Sequence, residues 1–104
     1  MNNRFYSLLG LAAKAGKIAS GSFRTEQEIK NGRACLVIMS DDIGQAVAEK
    51  LRDCSNAKNV VCITTGDRDS LSHAVGRDGR SCLAVTDEGF AAALLKLLSQ
   101  DSAQ

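Results

Sequence analysis

Residues 21–42 read GSFRTEQEIKNGRACLVIMSDD: a glycine turn, a short polar helix, a glycine stop, an apolar run and an acidic pair. The run Cys35 to Met39 is too short for a core helix and is rich in residues that suit a pleated strand, so it reads as a strand buried on both faces. A strand covered twice needs a layer on either side of it. The rest of the chain is patterned to supply those layers.

On the N-terminal side, Phe5, Leu8, Leu9 and Ala12 recur at i, i+3, i+4 and i+7, which predicts an amphipathic helix from Asn3 to about Ala15, stopped by Gly16. Lys17 to Ala19 is a brief candidate edge strand. The next helix is expected to run to about Asn31 from an N-cap at Ser22; the alternative, Thr25 with Glu28 as a capping box, leaves barely two turns. On the C-terminal side, Asp41 and Asp42 precede a helix to about Asp53 with Ile43, Ala46, Val47, Leu51 and Cys54 along its inner side. Val60 to Thr64 and Ser81 to Val85 read as further apolar strands, with a short helix from Asp69 to Val75 between them, ended by Gly76. Asp87 is expected to cap a last helix striped by Phe90, Ala93, Leu94, Leu97 and Leu98. Strands that alternate with helices and are apolar on both faces give an α/β fold (α+β by some schemes), a three-layer α-β-α sandwich. Residues 1–100 form a single domain and residues 101–104 a frayed polar tail.

A chain of 104 residues, 44% hydrophobic and 24% charged, carries one core without staples. No apolar run approaches a membrane span and the N-terminus lacks a signal-peptide pattern, which places the chain in the cytoplasm. Cys35, Cys54, Cys62 and Cys82 form no C-x-x-C pair and read as reduced, buried thiols; with one histidine, a zinc site is not expected. The net charge of +1 hides an asymmetry, because residues 1–33 hold six basic and two acidic side chains while the remainder holds seven and ten.

The basic end contains the sharpest motif. In Gly21, Ser22, Phe23 and Arg24, a glycine lets a ligand approach the backbone, a helix start offers N–H groups, and Arg24 adds a planar charged fork, which together suit a phosphate or a base edge. Phe23 could stack on a base, or fold back onto the core with Arg24 merely solvated. Asp41 and Asp42 could hold Mg²⁺ in a phosphotransfer site, but no further acid or lysine is placed to complete one, and a carboxylate capping the next helix explains them better. His73 fits no triad or ligand set. Gly66 to Arg68 lies in a charged loop without a phosphate-loop pattern. No catalytic constellation and no cofactor or metal site is legible.

In combination, SLLGLAAKAGKIASG, EIKNGRACLVIMSDD, LSHAVGR and LAVTDEGFAAALLKLL resemble the kink-turn RNA-binding ribosomal protein family, the archaeal seven-Ae and eukaryotic thirty-e type, and within it the small bacterial YlxQ-like branch. The resemblance spans about Tyr6 to Leu98. It implies a mixed four-stranded sheet and a non-enzymatic RNA-binding protein of ribosomal type, with structured RNA as the partner, the ribosome as a candidate assembly and a monomer favoured. The implied RNA surface joins the turn entering the second helix to the loop before the short fourth one: Gly21, Ser22, Phe23, Arg24 and Gln27, with Lys30 and Arg33 nearby, and Gly66, Asp67 and Arg68. Gly21 and Ser22 match the family's turn, whereas Phe23, Arg24 and Gln27 stand where members typically carry Asn, Glu and Lys. Those three read the edges of sheared G·A pairs, so the departures imply affinity for kink-turn-like or looped RNA with relaxed sequence reading. The rival expectation is a protein-interaction or regulatory module on the same fold that has lost kink-turn binding.

Overall fold

The computed structural model describes residues 3–102 and contains nine elements in the order α1 (Asn3–Lys14), β1 (Ile18–Ser20), α2 (Ser22–Lys30), β2 (Leu36–Met39), α3 (Gln45–Ala57), β3 (Val61–Thr64), α4 (Arg68–Val75), β4 (Cys82–Val85) and α5 (Glu88–Ser102). The sheet order is β1-β4-β2-β3. β2 runs parallel to β3 and antiparallel to β4, and β4 is antiparallel to β1, so the sheet is mixed.

β2 is the twice-covered strand that its sequence requires. Its four residues are all at most 1% exposed. Alternate side chains leave a strand on opposite faces. Leu36 and Ile38 therefore join Leu83 and Val85 of β4 in a core closed by Phe5 and Leu9 of α1, Leu71 of α4 and Leu94 of α5. Val37 and Met39 join Cys82 and Ala84 in a second core closed by Ile29 of α2 and by Ala48 and Leu51 of α3. The sandwich thus has three helices on one face and two on the other. Each fully buried Leu or Ile contributes roughly 1.5–3 kcal/mol.

Five local expectations are corrected. β3 is covered less fully than expected: it forms the sheet edge opposite β1, where Ile63 and Cys62 are half-buried against opposite cores and Val61 is 49% exposed. α3 starts later and ends later than expected, and it buries Ala48 and Ser55 while Ala46 faces solvent. The N-cap of α2 is Gly21, with Ser22 already helical; Thr25 is wholly buried and its N–H donates to the Gly21 carbonyl at 2.9 Å. Gly21 sits at φ 94°, ψ 155°, a region open in practice to glycine alone. Asp42 does not cap the helix that follows it, since α3 is capped by Gly44 without a side-chain bond; its carboxylate caps α4 instead. Asp87 does cap α5, accepting from Phe90 N–H at 2.9 Å. That helix continues through Ser102, so residues 101 and 102 of the expected tail are helical, and residues 103–104 lie outside the described part.

All four cysteines are free; Cys82 is buried and the other three are half-buried. Burial pushes the thiols of Cys35, Cys62 and Cys82 upward, which favours their protonated form.

Candidate nucleic-acid interface

Sheet register decides which loops meet. Met39 of β2 pairs with Thr64 of β3 and Cys82 of β4, and Leu83 pairs with Ser20 of β1. One end of the sheet therefore gathers the Gly21 turn, the Ser40 to Asp42 segment, the Thr65 to Arg68 loop and the approach to β4 at Arg80 and Ser81. Backbone bonds stitch these segments together. Gly21 N–H donates to Cys82 O at 2.9 Å, Ser40 N–H to Ser81 O at 2.8 Å, Thr65 N–H to Met39 O at 2.9 Å and Asp41 N–H to Gly66 O at 2.7 Å.

Two helices begin at this end, and their electrostatics differ. At α4, Asp67 accepts from Ser70 N–H at 2.7 Å, Asp42 Oδ1 accepts from Arg68 N–H at 3.0 Å, and Asp69 lies in the first turn. The Ser40 hydroxyl, close by though without a bond of full geometry, the Arg68 N–H and the nearby Arg68 charge hold the Asp42 carboxyl below its ordinary range, so it is ionised at neutral pH. The positive end of α4 is thereby neutralised. At α2 no side chain caps the start and no acidic residue lies in the first turn. Its leading N–H groups and positive dipole end remain available to an anion.

Arg80 is the residue that motif reading missed. Its N–H donates to Ser72 Oγ at 2.7 Å and its carbonyl accepts from the same hydroxyl at 3.1 Å, so its backbone is clamped to α4. From there the side chain reaches across to Gly21: a Cβ built on that glycine would lie 3.0 Å from Arg80 Nη1. Its Nε is buried with no partner. Gly21 therefore has two constraints, a positive φ and a guanidinium against its α-carbon. In sequence Arg80 is one more charge in a polar loop; it becomes prominent only once β4 is known to lie beside β1.

The other expected site residues separate into groups. Ser22, Phe23, Arg24 and Gln27 are exposed on α2, and Phe23 is 70% exposed, so it does not fold back onto the core. Arg24 shares a small cleft with Glu28 and Arg33 on the β1 side, whereas Phe23 borders α3. Arg68 is exposed, and Gly66 and Asp67 form the structured part of its loop. Lys30 and Arg33 lie near the opposite end of the sheet, where β2 begins, and both are paired. Lys30 meets Glu26 at 2.9 Å, and Arg33 grips Glu28 with Nε at 2.6 Å and Nη2 at 3.3 Å. Arg24, Lys30, Arg33 and Arg68 thus do not form one continuous basic face.

Gly66 is held from beneath by Tyr6 of α1, whose hydroxyl lies where a Cβ would be. Burial pushes the Tyr6 phenol up; the Ser70 hydroxyl beside it opposes the rise without forming a bond of full geometry, and Asp67 and Asp41 reinforce it. A phenol whose folded value exceeds its ordinary 10.0 adds stability that is whole below that pH and is lost as pH rises through the folded value. Urea melts between about pH 9 and 11 should show the protein losing more stability than its Tyr6→Phe variant, which has no proton to release.

A hollow of about 1030 Å³ lies between α1 and α4, lined in part by Tyr6, Leu11, Lys14 and His73, in the layer opposite α2. Among the described residues, no three His, Cys, Asp or Glu side chains are grouped to hold a metal ion, and no helix is long and apolar enough to cross a membrane.

The profile of the ribosomal protein L7Ae/L30e/S12e/Gadd45 family matches residues 3–95. The chain belongs to this family. Among its relatives, the RNA-binding protein YlxQ of Bacillus subtilis (strain 168) is 38% identical over 94 residues, covering 90% of this chain and 94% of that protein. The RNA-binding protein YlxQ of Enterococcus faecium is 29% identical over 85 residues, 82% of either chain. A solved structure of a Bacillus halodurans C protein of unknown function superimposes with a TM-score of 0.90 at 33% identity, covering 94% of this chain and 99% of that one. The Giardia lamblia 15.5kD RNA binding protein shares the fold at 16% identity, with a TM-score of 0.79 over 99% of this chain and 92% of its own. The L7Ae-type sandwich is therefore the architecture that brings the Gly21 turn and the Gly66 loop to one sheet end.

Proposed function

We propose that this protein binds structured RNA, without catalysis, through the sheet end that carries Gly21, Arg80 and Arg68. The observation that carries the reading is the uncapped start of α2 beside the clamped Arg80, next to a neighbouring helix start that is already neutralised. The printed names of the YlxQ relatives support RNA as the partner. A phosphate set against the N–H groups of Ser22 and Phe23 would lie within reach of the Arg80 fork; Arg24 and Arg68, both exposed, supply further charges on α2 and α4. Lys30 and Arg33, neutralised by Glu26 and Glu28, add little.

Recognition of kink-turns is relaxed in this reading. Phe23 offers no polar group to a base edge, and Arg24 can donate but not accept. The test is a titration against a kink-turn RNA and a copy whose G·A pairs are replaced by Watson–Crick pairs, at several salt concentrations. Both are expected to bind, with the logarithm of affinity falling by roughly 0.7–0.9 for each phosphate contact per tenfold rise in salt, or about two to three in all for three arginines. Failure to bind either RNA at low salt would overturn the proposal and leave the sandwich to a protein partner.

A further inference from the structure

Beside the Gly21 turn, a pocket of about 190 Å³ opens between α2 and α3. Phe23 forms one wall, Val47 and the buried Leu51 supply apolar surface, and Ser22, Glu26 and Lys50 provide the polar lining. A phenylalanine left 70% exposed at the mouth of a pocket is an aromatic face without a partner. The polar side of the pocket is fixed. Glu26 accepts from Lys30 at 2.9 Å through one oxygen and from Lys50 at 3.2 Å through the other, and its side chain is only 15% exposed.

We infer that this pocket takes one unstacked guanine of the bound RNA, its ring against Phe23 and its Watson–Crick edge toward Glu26 and Lys50. The inference rests on the RNA reading above and names the feature that such an RNA must offer. A carboxylate only accepts hydrogen bonds and an ammonium only donates them. Oε2 also receives the Cys54 thiol at 4.0 Å, a long, weak contact that a base donor can displace, so the carboxylate can receive two adjacent donors, with a lysine beside it to serve an acceptor. Guanine presents that order: the N2 amino group, N1–H and then O6. Adenine and cytosine each place one amino donor beside an acceptor, and uracil places one N–H between two carbonyls. Stacking on an aromatic ring tolerates any base, so Phe23 supplies affinity and Glu26 the choice.

The test uses hairpin RNAs that differ only in one bulged nucleotide, G, A, C or U, together with a fully paired hairpin, titrated by fluorescence anisotropy at one salt concentration. The G bulge is expected to bind about tenfold more tightly than the U bulge or the paired hairpin. Phe23→Ala should reduce affinity for all the bulged hairpins toward that of the paired one, and Phe23→Tyr should restore it. Glu26→Gln should abolish the preference for G without lowering affinity for the other three bulges. Phe23 lies at the surface and Glu26 is half-buried, so thermal melts of each variant check that the fold is kept. Equal affinity for the four bulges, or a G preference that survives both substitutions, would overturn the pocket while leaving RNA docking in place, and would give the groove to an apolar protein side chain. Binding to none of the hairpins would overturn the RNA reading itself and this inference with it.

Discussion

Gly66→Ala is expected to destabilise the protein by about 2–3 kcal/mol and to weaken RNA binding in proportion to the loop it disorders. Gly66 lies at φ 69°, where a Cβ costs roughly 1 kcal/mol or more before any contact is counted. That Cβ would also run into the Tyr6 hydroxyl, and the Tyr6 ring cannot move aside freely because it packs edge-on against buried Phe5, with centroids 5.6 Å apart. The displaced segment would be the carbonyl that accepts from Asp41 N–H, one of the bonds joining two strand ends. Removing the hydroxyl separates the two causes. Tyr6→Phe alone should be close to neutral at pH 7, since the hydroxyl forms no full hydrogen bond there. Combined with Gly66→Ala it should recover the steric part of the loss and leave the left-handed part. Thermal or urea melts of the four proteins give the coupling directly. An additive cycle would show that the hydroxyl does not support the loop.

The parts of this arrangement that sequence could reveal are those decided locally. Cys35 to Met39 announces a doubly buried strand because both sets of alternate positions are apolar, and Phe5, Leu8, Leu9 and Ala12 announce an inward helix face by their spacing. The parts that escaped are decided by neighbours in space. An apolar run such as Val60 to Thr64 looks the same in the centre of a sheet and at its edge; only the sheet order makes it an edge. A backbone cap leaves no side-chain signature, so Ser22 drew the N-cap that Gly21 occupies. Asp42 is near α3 in sequence but meets the Arg68 N–H across the parallel β2–β3 pairing. The count of basic residues up to Arg33 was correct, yet it ignored pairing, although Glu26 and Lys30 at i, i+4 carried a readable signal. The glycine turn itself was legible, because its letters and its strained backbone answer the same demand.

Arg80→Ala should lower affinity for structured RNA roughly 10- to 100-fold and reduce the salt slope by about one phosphate, with the melting temperature little changed. The fold is insulated from the substitution because Ser72 holds the Arg80 backbone, not its side chain. The side chain, by contrast, has a buried Nε with no partner and an Nη1 against Gly21, an arrangement that costs desolvation and receives no hydrogen bond at Nε in return. A guanidinium held in that way is set for a ligand more than for stability, so its loss should appear in binding and not in melting. Arg80→Lys keeps the charge but not the fork, and should restore the salt slope more fully than the affinity. Arg33→Ala is the matched control, since it removes the same charge from a residue paired with Glu28 at the opposite end of the sheet. If Arg33→Ala weakened binding as much as Arg80→Ala, the contact would be one of general charge, and the sheet end would lose its claim to be the interface. If only Arg80→Ala does so, the anion lies where the uncapped start of α2 and the clamped arginine converge.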